Sequence, residues 1–146
     1  MRARILNASA GSGKTYQLAY KYVRDVVEQP GIYRHILAVT FTNKATEEMK
    51  SRILKEIHLL ASGQPSSYLD NLCRELSLDA ATVRRRAREV RSKILHDYSR
   101  FTVLTIDTFF QRILRAFIKE LGIDLNYNIE LETASVLTKS ADALVD

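Results

Sequence analysis

The sequence predicts an α/β domain, a parallel sheet flanked by helices with a helical insertion. Two observations predict it. Three runs with strand character, residues 4–7, 35–41 and 101–106, each lead through a small polar turn into a segment of helical periodicity. The middle run is apolar on successive rather than alternate residues, as a strand covered on both faces is. Repeated strand–turn–helix units imply right-handed crossovers and strands that point the same way.

The first turn carries the most chemistry. Residues 4–7 run into Ala8, Ser9, Ala10, Gly11, Ser12, Gly13, Lys14 and Thr15, the layout of a phosphate-binding loop between a strand and a helix. Small residues let the backbone N–H groups of Gly11 to Lys14 turn inward as an anion nest, and the helix adds its positive N-terminal end. The Lys14 ammonium then reaches the outer phosphates, and the Thr15 hydroxyl ligates a Mg²⁺ that keeps most of its waters. The pattern GxxxxGKT asks for glycine where this chain has Ala8. Left-handed backbone costs a non-glycine residue on the order of 1–2 kcal/mol, so Ala8 is expected to keep a negative φ. The alternative is a glycine-softened turn that binds nothing; the intact GSGKT favours phosphate, with ATP and Mg²⁺ as the expected cofactors.

The 146 residues suit one domain able to bury about two-thirds of its unfolded surface. Apolar residues at 46% and charged residues at 27% fit a soluble globular chain, and no apolar run is long enough to span a bilayer. No apolar stretch before Lys14 reads as a secretory signal, and Cys73 alone allows no internal disulfide. Both point to the cytoplasm. A formal charge of +5 favours a polyanionic partner, nucleic acid first.

A first helix is expected over residues 13–28, with Leu18, Ala19, Tyr22, Val23 and Val26 on its apolar face and Pro30-Gly31 as its stop. Tyr16 either lies along a nucleotide's edge or packs; packing is the commoner use. The strand at residues 35–41 ends in Thr42, Asn43 and Lys44. The helix that follows runs to Ala61, with Met49, Ile53, Ile57 and Leu60 buried and Glu48/Arg52 as an i,i+4 pair. Residues 62–67 form a loop. Helices at residues 68–76 and 79–98 then interrupt the rhythm, the second with Val83, Ala87, Val90 and Ile94 on one face. Its other face carries Arg84, Arg85, Arg86, Arg88, Arg91 and Lys93, which either meet nucleic-acid phosphates or are simply solvated; solvation is preferred. After the strand at residues 101–106, Thr108 and Gln111 have the spacing of a capping box. Phe110, Ile113, Leu114, Phe117, Ile118 and Leu121 give a core stripe that ends at Gly122. Residues 126–132 suggest a short strand and the remainder a weak helix.

Taken together, three stretches resemble the opening motifs of superfamily 1 DNA helicases of the UvrD/Rep and RecB/AddA kind. NASAGSGKT resembles the first motif, ILAVTFTNKATEEMKSRI the second almost residue for residue, and FTVLTIDTFFQRIL the third, where many relatives have histidine in place of Asp107. The resemblance covers the chain through Gly122. It implies a first RecA-like domain, with ATP below the sheet and single-stranded DNA across its top. Phe41 would stack on a base while Thr42, Asn43 and Lys44 contact phosphates. Thr105 and Asp107 would lie beside the same groove, although a carboxylate facing phosphates is repulsive, so Asp107 instead orients Thr108 or caps the helix. Stacking and neutral or cationic donors suit a sequence-tolerant contact.

The resemblance divides the chain into a phosphate-loop unit at 1–30, a second-motif unit at 35–62, an insertion at 63–99, a third-motif unit at 100–122 and the start of a further subdomain at 123–146. No acidic pair for Mg²⁺, second RecA-like domain, arginine finger or upstream glutamine motif is found. The expectation is therefore an N-terminal piece of a helicase or helicase-nuclease of DNA repair or recombination, an incomplete domain that is catalytically inactive by itself. Its partners would be the rest of the helicase chain and a nuclease domain or subunit. Two other classes stay open: a small phosphotransferase, which gives TFTNKATEEM no role, and a non-catalytic basic DNA-binding module, which makes the phosphate loop an accident.

Overall fold

The computed structural model describes residues 13–122. The strand expected at residues 4–7, the loop from Ala8 to Ser12, the Lys14 side chain and the elements expected beyond Gly122 lie outside the described residues. Along the chain come α1 (Lys14–Glu28), a 3₁₀ turn (Ile32–His35), β1 (Leu37–Thr40), α2 (Asn43–Ala61), α3 (Leu69–Leu76), α4 (Ala80–His96), a second 3₁₀ turn (Tyr98–Arg100), β2 (Thr102–Thr105) and α5 (Ile106–Glu120). The chain divides after Phe109 into two units.

In the first unit the helices make the core. α1 presents Ala19, Tyr22, Val23, Val26 and Val27, all buried, and ends before Pro30, where the extended Gln29 returns its N–H to the Asp25 carbonyl at 2.9 Å. α2 buries Met49, Ile53, Ile57 and Leu60, spaced along one stripe. α4 buries Val83, Ala87, Val90 and Ile94 and starts at Asp79, whose carboxylate accepts the Thr82 N–H at 3.4 Å. α2 packs on both α1 and α4, and the short α3 rests on α4 through the buried Leu72. Tyr33, fully buried in the first 3₁₀ turn, donates its hydroxyl to the Lys93 carbonyl at 3.2 Å and ties that turn to the end of α4.

Each fully buried isoleucine or leucine here stabilises by about 1.5–3 kcal/mol. Arg24 joins α1 to α3 through Glu75 at 3.1 Å while also meeting Asp25 and Glu28. Those carboxylates are partly exposed, and such pairs contribute about 0–1 kcal/mol each. The stripes therefore decide the helix packing, and the ion pairs refine it.

Among the described residues the sheet has two strands, and the fold is mostly helical, consistent with part of an α/β domain. β1 and β2 pair in parallel, Leu37 with Thr102, Ala38 with Val103, Val39 with Leu104 and Thr40 with Thr105. Val103 and Thr105 are buried on the face that meets α2. The expectation of a strand covered on both faces is corrected here. Leu37 and Val39 are 43% and 37% exposed, so among the described residues helices cover one sheet face and leave the other open. The strand is also shorter than residues 35–41, because His35 closes the 3₁₀ turn and Phe41 already belongs to the bend after Thr40.

Two further expectations change. The Thr105 hydroxyl accepts the Thr108 N–H at 3.2 Å, so the cap of α5 is Thr105, three residues before Thr108, and the helix begins at Ile106. Strand pairing puts Thr105 at the last sheet position, where its side chain can serve the helix that follows directly. The basic face of α4 is only partly solvated. Arg86 donates to the carbonyls of Val27 at 3.2 Å and Glu28 at 2.9 Å, closing the C-terminal end of α1. Arg91 reaches the Ser62 hydroxyl at 3.3 Å, Lys93 pairs with Glu89 at 2.6 Å, and Arg85 and Arg88 are exposed.

The described part of the second unit is the continuation of α5 from Phe110. It ends where Gly122 takes a φ of +64°, with the Leu121 N–H on the Phe117 carbonyl at 3.0 Å. The stripe expected to be core is not buried among the described residues: no residue of α5 is. No helix among the described residues is long and apolar enough to cross a membrane.

The Arg86 contacts make a prediction. Arg86→Ala leaves two helix-terminal carbonyls without their cationic donor and should cost about 1–3 kcal/mol of unfolding free energy. Arg85→Ala, at an exposed position of the same helix, should stay within about 0.5 kcal/mol. Equal losses in urea melts would refute this division of the arginines.

Candidate functional site

Two places hold the residues singled out from the sequence. The first is the start of α1. Gly13 has φ 68° and ψ 20°, left-handed backbone that glycine adopts without penalty, and a Cβ there would meet nothing within 4 Å. The requirement for glycine is thus conformational. The Gly13 carbonyl accepts the Gln17 N–H at 3.0 Å, and Lys14 opens the helix with Thr15, half-buried, beside it. No acidic side chain stands in the first turn, so nothing there opposes an anion at the positive helix end. Of the expected cradle, Gly13 and Thr15 are described in full. Ala8, Ser9, Ala10, Gly11, Ser12 and the Lys14 ammonium lie outside the described residues.

Just behind this end, the first turn of α1 is held by aromatic packing that the sequence did not reveal. The Tyr68 ring, fully buried, meets Tyr16 and Tyr20 edge-on, each at 5.1 Å between centroids. Its hydroxyl donates to the Tyr16 carbonyl at 3.3 Å. The Arg52 guanidinium lies 5.8 Å from the centre of the Tyr16 ring, whose hydroxyl reaches Ser67 at 3.5 Å. Tyr16 therefore packs. Arg52 sits nine residues past the start of α2 at Asn43, about 13 Å along that helix at its rise of about 1.5 Å per residue, so Tyr16 contacts α2 well away from its N-terminus.

The second place is the end at which the chain leaves both strands. Because Thr40 is paired with Thr105, the segments following β1 and β2 depart side by side, about 4.8 Å apart. Phe41 is 85% exposed, and Thr42, Asn43 and Lys44 are exposed beside it. Thr42 caps α2, its hydroxyl accepting the Ala45 N–H at 3.1 Å, and the first turn of α2 carries no acidic residue. The Thr42 carbonyl faces the hydroxyls of Thr40 and Thr46. It accepts the Thr46 N–H at 3.0 Å, the Thr46 hydroxyl at 3.1 Å and the Thr40 hydroxyl at 3.2 Å, and the two hydroxyls stand 2.5 Å from each other. Thr46 is 5% exposed. A buried threonine on an otherwise apolar helix stripe was the only sequence signal for this network.

Thr105 and Asp107 come to the same sheet end but differ in state. Thr105 is 8% exposed, and its hydroxyl is already engaged, by the Thr108 N–H and by the Thr108 hydroxyl at 2.9 Å. Asp107 is exposed in the first turn of α5, where a carboxylate complements the helix dipole. Thr108 receives its cap from Thr105 rather than from Asp107.

With this geometry in view, comparison with known proteins is decisive for the family. Residues 2–144 match the model of the UvrD/REP helicase N-terminal domain. The chain belongs to this family. It is 28% identical over 137 residues to an ATP-dependent helicase/nuclease subunit of Bacillus cytotoxicus and 29% identical over 137 residues to a protein of the same name from Acetivibrio thermocellus. Each alignment covers 92% of this chain and 9% of the relative, so the helicase domain segment spans about a tenth of the length of those proteins. No solved structure matches the chain.

The Tyr68 cluster sets a pH window for this helicase segment. Burial first, and then the negative Glu56, pushes the Tyr68 phenol up to about 12; burial and Glu75 do the same for Tyr20. An unfolded tyrosine titrates near about 10, so the stabilisation is complete below that pH and lost as pH rises from about 10 towards 12. Thermal melts across this window should fall, and fall less steeply in Tyr68→Phe, with Tyr20 and the buried Tyr22, whose phenol burial also pushes up, supplying what remains. Identical slopes for parent and variant would exclude Tyr68 as a source.

Proposed function

We propose that this chain is the ATP-binding N-terminal segment of an ATP-dependent DNA helicase or helicase-nuclease that acts on single-stranded DNA in repair or recombination in the cytoplasm. Family membership over nearly the whole chain supports the class. The observation that carries the DNA reading is the Thr40–Thr105 register, which delivers Phe41, Thr42, Asn43 and Lys44 to the same sheet end as Thr105 and Asp107. An exposed aromatic ring beside hydroxyl, amide and ammonium donors at a helix N-terminus free of acidic residues suits a polyanion whose bases stack. Thr105 shapes this edge as the cap of α5, and Asp107 serves that helix.

In this reading residues 1–30, 35–62 and 100–122 are successive units of a first RecA-like sheet, completed by the strand at residues 4–7, with 63–99 inserted and 123–146 opening a further subdomain. In the loop from Ala8 to Thr15, the amides of Gly11 to Lys14 cradle the phosphates of ATP, and the Lys14 ammonium balances their charge. The left-handed Gly13 and the acid-free first turn fit an anion there, and the Thr15 hydroxyl at the helix start fits a Mg²⁺ held mainly by phosphates and water. When bound, the metal neutralises charge on the outer phosphates. Hydrolysis further requires a carboxylate to position water and the second RecA-like domain of the longer chain. A further partner is a nuclease domain or subunit.

The 146-residue chain should accordingly bind Mg–ATP and fail to turn it over. Steady-state phosphate release should stay at background with and without oligo-dT, and Lys14→Ala should abolish nucleotide binding. DNA-stimulated release that Lys14→Ala removes would overturn the assignment of an incomplete catalytic site.

Phe41→Ala should weaken oligo-dT binding by roughly 1–3 kcal/mol, the scale of one base–aromatic stack. As a truncation at an exposed position it should move stability by no more than about 0.5 kcal/mol. Anisotropy titrations beside thermal melts check both. Lost stability with unchanged affinity would place Phe41 in a core.

A further inference from the structure

The exit of β1 is held by two threonines, Thr40 half-buried and Thr46 buried. Phe41 sits between Thr40, the last residue of β1, and Thr42, the cap of α2. The Thr42 carbonyl lies within hydrogen-bond distance of three donors, the Thr46 N–H and the hydroxyls of Thr40 and Thr46. The two hydroxyls also contact each other. They own two protons for three contacts. One hydroxyl must donate to the carbonyl, and the other donates either to the carbonyl or to its neighbour, so the network stays closed whichever way the protons point. Strand end, turn and first helical turn are thereby joined around Phe41. The Phe41 ring, 85% exposed, has little packing to orient it, so its direction rests on the backbone at either side.

We propose that Thr40 and Thr46 are positioning residues that preorganise Phe41 and the neighbouring donors for a single-stranded polynucleotide, an inference that rests on the DNA reading above. The helix does not need them in order to start, since Thr42 already caps the Ala45 N–H. The core does not need their hydroxyls, since valine has the same shape. What the hydroxyls add is a fixed carbonyl at Thr42 and therefore a fixed turn. A binding element already held in its bound geometry loses less conformational freedom on association, and affinity gains by that difference.

The test is a double-mutant cycle on the 146-residue chain, read by anisotropy of labelled oligo-dT with Mg–ATP affinity measured alongside. Thr46→Val should weaken oligo-dT binding roughly three- to tenfold, the worth of one or two net hydrogen bonds, with Mg–ATP affinity unchanged. Thr46→Ser, which keeps the hydroxyl, should restore binding to within about twofold of the parent. If Thr46 acts through Phe41, the Phe41→Ala/Thr46→Val pair should lose clearly less than the product of the single losses. Multiplicative losses, or a Thr46→Val chain that binds like the parent while Phe41→Ala does not, overturn the clamp and leave the DNA reading standing. Undiminished binding by Phe41→Ala removes the DNA reading and the clamp with it. If Thr46→Val does not fold, Thr40→Val takes its place in the cycle, because Thr40 is only half-buried and the Thr46 hydroxyl keeps the Thr42 carbonyl as its acceptor.

Discussion

Parallel pairing of Leu37–Thr40 with Thr102–Thr105 is the constraint on which the first unit depends. Two parallel strands cannot be joined by a tight turn, so the chain between them must cross back over the sheet. Here the crossing holds α2, α3 and α4, and with α1 these helices contain most of the buried apolar side chains. The connection is the hydrophobic mass, and the short strands are its organiser. Parallel pairing also makes both strands end at one edge, each handing over to a helix. Two helix N-termini thus open at the same sheet end and bring their partial positive charge with them. The proposed polyanion site is a consequence of the strand direction before any side chain is considered.

The charge of +5 is not spent in the way composition suggests. Along α4 the cations lie close in sequence, yet helical geometry turns them to different neighbours. Arg86 faces the end of α1 and completes its carbonyls, Arg91 reaches back to Ser62, and Lys93 pairs within its own helix. The residues proposed to meet DNA are mostly uncharged, Phe41, Thr42 and Asn43 beside Lys44. Contacts of this kind follow a backbone and stack on bases without reading sequence.

The apolar stripes of α2 and α4 were legible, because burial every three or four residues has no other simple cause: Met49, Ile53, Ile57 and Leu60 are buried as their spacing demands, while in α1 the stripe also takes in Val27 and leaves Leu18 half-buried. The motif residues Phe41 to Lys44 were legible as a group, and their exposure agrees with a strand exit. The start of α5 was misread, because Thr105 and Thr108 offer the same capping chemistry three residues apart, and only the end of the ladder at Thr105 decides between them. The cover on β1 was overestimated for a related reason. A continuous apolar run says that both faces avoid water, not which parts of the molecule provide the shelter, and among the described residues Leu37 and Val39 have helices on the opposite side only.

Sequence by itself determined the periodic faces of the helices, the phosphate-loop pattern with its glycines, and the three motifs whose joint occurrence points to the UvrD/REP helicase family. These are properties of neighbours along the chain, fixed by spacing and residue type. The tertiary structure alone decided that Thr40 faces Thr105, that Tyr68 closes over the first turn of α1, that Arg86 serves a helix far from its own in sequence, and that Thr40 and Thr46 share the Thr42 carbonyl. The physical reason is that a hydrogen bond is satisfied by whichever partner lies within about 3 Å, and that distance is set by how the helices pack and where the strands end.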